Sequence, residues 1–282
     1  MDPPSTKFSP FGARGVQRSE DGRRVRKFFE GKAELAHEYQ NMEMFHCFAD
    51  AYSSGPPMFV PHESQMGIEM DYVGETLDNF IFSDHEHHNA CSTSLGSLTS
   101  NELALCLMQC IEVVLLLDNV MLIADANLGN ICVTGRGAAI RLHFIDLEKW
   151  QSQLHCSGPR QQDDRIMHSN ILAILKSLWS GTHMTWKELA EMVFKAFDDD
   201  GKLQLPRANV RDQLLRLSGE LLRFIETNQQ HDPTQAPFLL SAQKLHHEIQ
   251  GVVTAWYNAK WSSEAAHQRT MMIRRRGSED WI

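Results

Sequence analysis

Apolar positions form short alternating runs over the first residues of the chain and helical spacings afterwards. Between residues 7 and 30, brief β-like runs are broken by Gly12, Gly15 and Gly22 and end in Arg24-Val25-Arg26-Lys27-Phe28-Phe29. That is the pattern of a small, hairpin-rich unit. Residues 33–48 then set Leu35, Met42 and Phe45 at helical spacing, with Glu38 among them, which predicts one helix beside the sheet. A loop rich in Ser, Gly and Pro over residues 53–61 leads to Gly67-Ile68-Glu69-Met70-Asp71-Tyr72-Val73, a strand emerging into a connector. A boundary between a smaller and a larger part is placed there.

After the polar stretch 83–97, Thr99-Ser100-Asn101-Glu102 forms a capping box that opens a helix running to Leu117. Residues 131–133, the turn Thr134-Gly135-Arg136-Gly137 and residues 139–145 predict a hairpin, since Gly supplies the positive φ of a tight turn. Asp146 lies just past it. Further helices are predicted over 164–179, 186–197 (behind a second box at Thr185 and Glu188), 209–227 and 242–256. Residues 266–282, with Arg274-Arg275-Arg276, read as a loose tail.

At 282 residues, 42% hydrophobic and 22% charged, the chain has the balance of a globular protein, with one two-lobed unit as the default. A net charge of −9 argues against general nucleic-acid binding, because phosphate backbones reward a basic surface. Cys47, Cys91, Cys106, Cys110, Cys132 and Cys156 show no CxxC pairing, so neither a zinc site nor a disulfide framework is expected, and buried, reduced thiols are. The first residues lack the apolar core of a signal peptide. Residues 103–117 contain Gln109 and Glu112 and read as a buried helix. The expectation is a cytoplasmic protein without a membrane span.

The chemistry sits in Asp125-Ala126-Asn127-Leu128-Gly129-Asn130, an Asp-x-x-x-x-Asn, and in Phe144-Ile145-Asp146-Leu147-Glu148 after the hairpin. Phosphoryl transfer needs a held triphosphate, neutralised charge and a carboxylate aimed at the attacking hydroxyl. A loop of this spacing points one carboxylate at a hydroxyl while its amide and Asp146 hold metal. At these residues the chain resembles the protein kinase superfamily, over about residues 8–180. The resemblance implies an α+β, bilobal, protein-kinase-like fold. A β-rich N-lobe with one helix would span 1–73, with a hinge at 70–73, and a larger helical C-lobe 74–265. It implies ATP and Mg2+ as cofactors. Lys27 matches the phosphate-binding lysine and Glu38 its helical ion-pair partner, with Glu34 and Glu43 as rivals. Gly12, Gly15 and Val16 match a reduced glycine-rich loop; Met70, Asp71, Tyr72 and Val73 match the hinge that bonds adenine. Asp125 would be the catalytic base, and Asn130 and Asp146 the metal ligands.

The departures shape the function that the resemblance implies. Ile123-Ala124 stands where many relatives have His-Arg, so activation by loop phosphorylation is not expected. Asn127 replaces the lysine of many Ser/Thr kinases, and Asp146-Leu147-Glu148 replaces Asp-Phe-Gly, as in small-molecule phosphotransferases and atypical kinases. Asp163 and Asp164 follow Asp146 closely and no Ala-Pro-Glu is present, so the peptide-docking segment is short. The implied function is an atypical protein Ser/Thr kinase with a protein substrate. The alternatives are a small-molecule kinase of the aminoglycoside-phosphotransferase type and a nucleotide-binding pseudokinase scaffold.

Plainer readings stand beside these: Lys27 as an ordinary strand lysine, Glu38 as a solvated helix charge, Asp125 and Asn130 as turn caps, Asp164 as a helix N-cap. Asp84-His85-Glu86-His87-His88 has metal-ligand residue types, yet five adjacent loop residues cannot converge on one ion, and a solvated loop is simpler. Met42, Met44, Met66 and Met70 read as core or cleft-lining residues.

Overall fold

The alternating runs at the start of the chain pair into a five-stranded antiparallel sheet in the order β1-β2-β3-β5-β4. Its strands are β1 (Phe8–Pro10), β2 (Val16–Ser19), β3 (Arg24–Phe29), β4 (Met58–Pro61) and β5 (Met66–Asp71). The computed structural model describes residues 7–10, 15–55, 58–61, 66–81, 98–117, 120–122, 128–152 and 208–258. The β2–β3 turn is closed by Ser19, whose hydroxyl donates to Asp21 Oδ1 at 2.6 Å and accepts from the Arg24 amide at 2.9 Å. β3 is central: Lys27 lies opposite Val16 on one side and Ile68 on the other. β4 corrects the loop expected over 53–61. Among the described residues it pairs only with β5, and an edge strand tolerates Pro61, whose missing N–H is not needed there.

Helix α1 (Lys32–Ala49) buries Leu35, Glu38, Asn41, Met42, Phe45 and Ala49 on one face, the spacing of an amphipathic helix. Two members of that stripe, Glu38 and Asn41, are polar, and both turn toward the site described below. Cys47 lies off the stripe and is exposed, which corrects the expectation of a buried thiol. Cys106, Cys110 and Cys132 are buried as expected; Cys91 and Cys156 lie outside the described residues.

The chain leaves β5 through Tyr72-Val73-Gly74 and enters β6 (Glu75–Thr76), which pairs with β8 (Ile131–Thr134), itself paired with β9 (Arg141–Phe144). Gly74 has φ +95° and a Cβ there would lie 2.3 Å from the Val133 carbonyl oxygen, so the crossing requires glycine. The predicted hairpin is present with a shorter second strand, because Gly137–Ala139 forms a 3-10 turn. The short helix α2 (Leu77–Ile81) and the two-residue ribbon of β7 (Met121–Leu122) and β10 (Gln151–Ser152) had no sequence signal, being too short to show a period.

Helix α3 (Ser100–Leu117) forms the centre of the helical part, against α4 (Ala208–His231) and α5 (Ala236–Asn258). Its capping box forms: the Thr99 amide donates to Glu102 Oε2 at 2.8 Å and the Glu102 amide to Thr99 Oγ1 at 3.2 Å. By length and composition this helix could cross a membrane, but 89% of it is buried inside the protein, against its neighbours. Both later helices run beyond the expected 209–227 and 242–256. The start of α5 follows a 3-10 turn capped by Asp232, with Pro237 in its first turn, where proline is tolerated. One apolar cluster joins the sheet side to the helical side, and Phe45, Phe144 and Trp150 meet edge-to-face with ring centroids 5.4 to 6.2 Å apart. The architecture is mixed, with helices and antiparallel sheets. The helices predicted over 164–179 and 186–197, the 266–282 tail and the 84–88 cluster lie outside the described residues.

Candidate functional site

Strand alternation sends Arg26 and Lys27 to opposite faces of β3. Arg26 pairs with Glu69 at 2.9 Å and covers the Phe8 ring, while Lys27 reaches under the sheet toward α1. The Lys27 ammonium touches three carboxylates: Glu38 Oε2 at 2.7 Å, Asp146 Oδ1 at 2.7 Å and Glu148 Oε2 at 3.5 Å. Of the three α1 glutamates weighed in the sequence, Glu38 is the one on the buried stripe; Glu34 and Glu43 are exposed.

Asp146 arrives from β9 with φ +58°, the only positive-φ residue other than glycine among the described residues. For a side chain bearing a Cβ this is a sparsely allowed backbone. The residues on either side are fixed. The Ile145 amide donates to the Asn130 carbonyl at 2.9 Å, which sets the Asn130 backbone beside the Asp146 turn. Beyond Asp146, the Asn41 side-chain amide donates to both Leu147 O and Trp150 O at 2.8 Å, and His37 Nε2 lies 3.1 Å from Trp150 O. Helix α1 therefore holds the segment that carries Asp146 and Glu148.

Burial by itself would lower the Lys27 pKa, but Glu38 and Asp146 outweigh it and leave the value raised, so the ammonium keeps its proton. Glu38 is raised as well, first by burial and then by the Asp146 and Glu148 charges, with Lys27 opposing. Both directions are consistent with three carboxylates sharing one cation. Glu38 Oε1 is buried without a hydrogen-bond partner. The chemistry of the set is that of hard oxygen donors, which suits Mg2+ or Ca2+ rather than a soft transition metal.

The chain matches no protein-family model and no curated protein sequence. Among solved structures, a chain of the crystal structure of the yeast RNA Pol II CTD kinase CTDK-1 complex is similar to it, at 11% identity over 69% of this chain and 70% of that one, with a TM-score of 0.45. A likeness of that degree carries no argument about the site, and the geometry has to carry it.

Gly15 and Val16 open β2 directly beside Lys27, and the Phe28 amide donates to the Gly15 carbonyl at 2.9 Å. Met70 and Asp71 end β5, and the Tyr72 amide donates to Arg23 O at 2.8 Å. The Tyr72 hydroxyl donates to Glu75 Oε1 at 2.6 Å, and its ring lies 3.6 Å beneath the Arg18 guanidinium. Among the described residues the Val73 amide has no hydrogen-bond partner. From Ile68, opposite Lys27, to Asp71 is three residues along β5, about 10 Å at the rise of an antiparallel strand. Gly12 and Asp125 lie outside the described residues, as do Ile123, Ala124 and Asn127.

The structure thus brings Lys27, Glu38, Asp146 and the Asn130 backbone together, with Gly15 and Val16 adjacent and Met70 to Val73 one strand segment away. Sequence reasoning missed Asn41 and gave Glu148 no role of its own. The signal for Asn41 was present: it stands three residues after Glu38, at a position where the stripe calls for an apolar side chain.

Proposed function

We propose that the protein is a phosphotransferase with a protein-kinase-like bilobal fold that binds ATP with Mg2+ and transfers the γ-phosphoryl group to a protein Ser or Thr hydroxyl. The observation that carries the reading is Lys27 on the central strand, joined at 2.7 Å both to a buried helix carboxylate and to a carboxylate just past a hairpin. Phosphoryl transfer is mainly positioning and charge stabilisation, and these are the groups it asks for. Lys27 binds phosphate oxygens, and Glu38 keeps the ammonium oriented and charged. Asn130 and Asp146 hold the metal. Glycine at position 15 lets the β2 backbone approach the phosphates, and the Val73 amide is available to the adenine edge. Asp125 takes or orients the proton of the acceptor hydroxyl. Mg2+ with ATP supplies the phosphoryl group and neutralises its charge.

Helix α1 already holds the 146–150 segment through Asn41, which supports a site assembled without phosphorylation of a loop. The test is thermal stability with ATP, with and without Mg2+, on wild type and Asp146→Ala. Stabilisation that requires Mg2+ and vanishes in Asp146→Ala is expected; stabilisation kept in full by the variant removes the assignment. Asp125→Asn should then leave binding intact and cut label transfer from ATP by about two orders of magnitude, the scale of a lost general base. Label found only in small molecules would move the acceptor to that class.

A further inference from the structure

Three carboxylates converge on one ammonium at the Lys27 site, which leaves it two negative charges in excess before any ligand arrives. One carboxylate oxygen from each of Glu38, Asp146 and Glu148 lies within 4.8 Å of the others. Glu38 is 0% exposed, and while its Oε2 faces Lys27 its Oε1 has no partner. A buried acceptor left unsatisfied next to two further carboxylates lacks a cation. We propose that Glu38, Asp146 and Glu148 bind a hard divalent cation in the absence of nucleotide, with Glu148 as an essential ligand. This goes beyond the kinase reading, in which Asn130 and Asp146 hold metal against phosphates, and it stands on the free protein.

The geometry sets the mode of binding. A Ca2+ ion with bonds of about 2.4 Å spans opposed oxygens about 4.8 Å apart, and Mg2+ at about 2.1 Å needs them within about 4.2 Å. Either ion is compatible with the upper bound on this trio. Lys27 occupies the middle of the group, so ammonium and cation compete for the same oxygens. Its long stem lets it leave, and phosphate oxygens would draw it away. A cation then takes over the charge balance that Lys27 gave up. Two opposite effects follow. Removing Glu148 weakens the cation, whereas removing Lys27 strengthens it.

The test is Mn2+ alone, titrated into the full chain and followed by the loss of the free-ion EPR signal, with Ca2+ and Mg2+ as competitors. One equivalent should bind without nucleotide. Glu148→Gln, a half-exposed site where folding is not at risk, should weaken binding at least about fivefold, and Lys27→Met should tighten it by a similar factor, as like-charge removal near a cation requires. Absence of nucleotide-free binding, or equal affinity in wild type and Glu148→Gln, overturns the proposal. Stabilisation by ATP with Mg2+ that persists in Glu148→Gln, without nucleotide-free Mn2+ binding, would sink this site and leave the kinase reading standing. Mn2+ binding that depends on Glu148 in a protein that ignores ATP would do the reverse.

Discussion

Replacing Asn41 tests whether α1 holds the Asp146 segment. Asn41→Leu keeps the number and branching of the side-chain heavy atoms and removes the donor, so no cavity opens and the lost hydrogen bonds are read together with a small excess of bulk. Two buried carbonyls, Leu147 O and Trp150 O, each lose a 2.8 Å bond. A buried acceptor left unpaired costs about 1–3 kcal/mol. His37 Nε2, 3.1 Å from Trp150 O, can keep that carbonyl satisfied, and Leu147 O still accepts from the Trp150 amide at 3.0 Å, so neither is left wholly unpaired and the cost is that of two lost hydrogen bonds, about 1–3 kcal/mol. Urea unfolding followed by tryptophan fluorescence, which Trp150 in the apolar cluster reports, measures it as a lower midpoint at unchanged slope. Exposed Gln40→Ala on the same helix should change stability by less than about 0.5 kcal/mol. A loss below about 0.5 kcal/mol for Asn41→Leu would mean that the segment is held from elsewhere.

Two further substitutions test the helical side. Glu102→Ala removes both the α3 cap and the bonds to the Gly137 amide and Arg136, and thermal unfolding should show a loss of about 2–4 kcal/mol. Burial pushes the Glu102 pKa up, but the Thr99 and Gly137 amides and Arg136 outweigh it and hold it below 4.5. Its stabilisation is thus present above that pH and should fade as acidity passes the folded value. Glu112, which accepts from the Tyr52 hydroxyl, is shifted the other way: burial raises its pKa above 4.5, with Tyr52 opposing. Stability from that shift is present below 4.5 and lost as pH rises through the folded value, so Glu112→Gln should raise the melting temperature at pH 8 and lose its advantage as pH falls through the folded value. A pH-independent difference would refute this.

What the sequence showed was local. The α1 stripe, the Thr99 to Glu102 box and the Ile131 to Phe144 hairpin each declare themselves within a few residues, through periodicity, a cap and a glycine turn. The proximity of Lys27, Glu38 and Asp146 was legible only through resemblance, since a salt bridge across 119 residues of chain leaves no periodic trace. β4 was hidden because Pro57 and Pro61 frame it and its partner strand supplies the pairing. The receptors of Asn41 are backbone carbonyls, which carry no residue identity at all. Only the misplaced polarity of Asn41 on an apolar stripe pointed to them.

The positive φ of Asp146 explains how the site keeps its form when its ion pairs change. A strained backbone persists only where its surroundings over-determine it. Residue 145 is tied to the hairpin by the Asn130 carbonyl, and residue 147 is tied to α1 by Asn41. Each clamp is a hydrogen bond to backbone, and neither involves the Asp146 carboxylate. The turn at Asp146 is therefore set from both sides, and the contact with Lys27 is a consequence of that turn and not its cause. In the proposed phosphotransferase, Lys27 could then leave for a phosphate without releasing Asp146. The carboxylate would then remain beside Glu38 and Glu148, where the departing ammonium leaves negative charge to be neutralised. A metal-dependent phosphotransferase needs that division of labour: a mobile cation on a flexible stem, and an immobile anion on a doubly clamped turn.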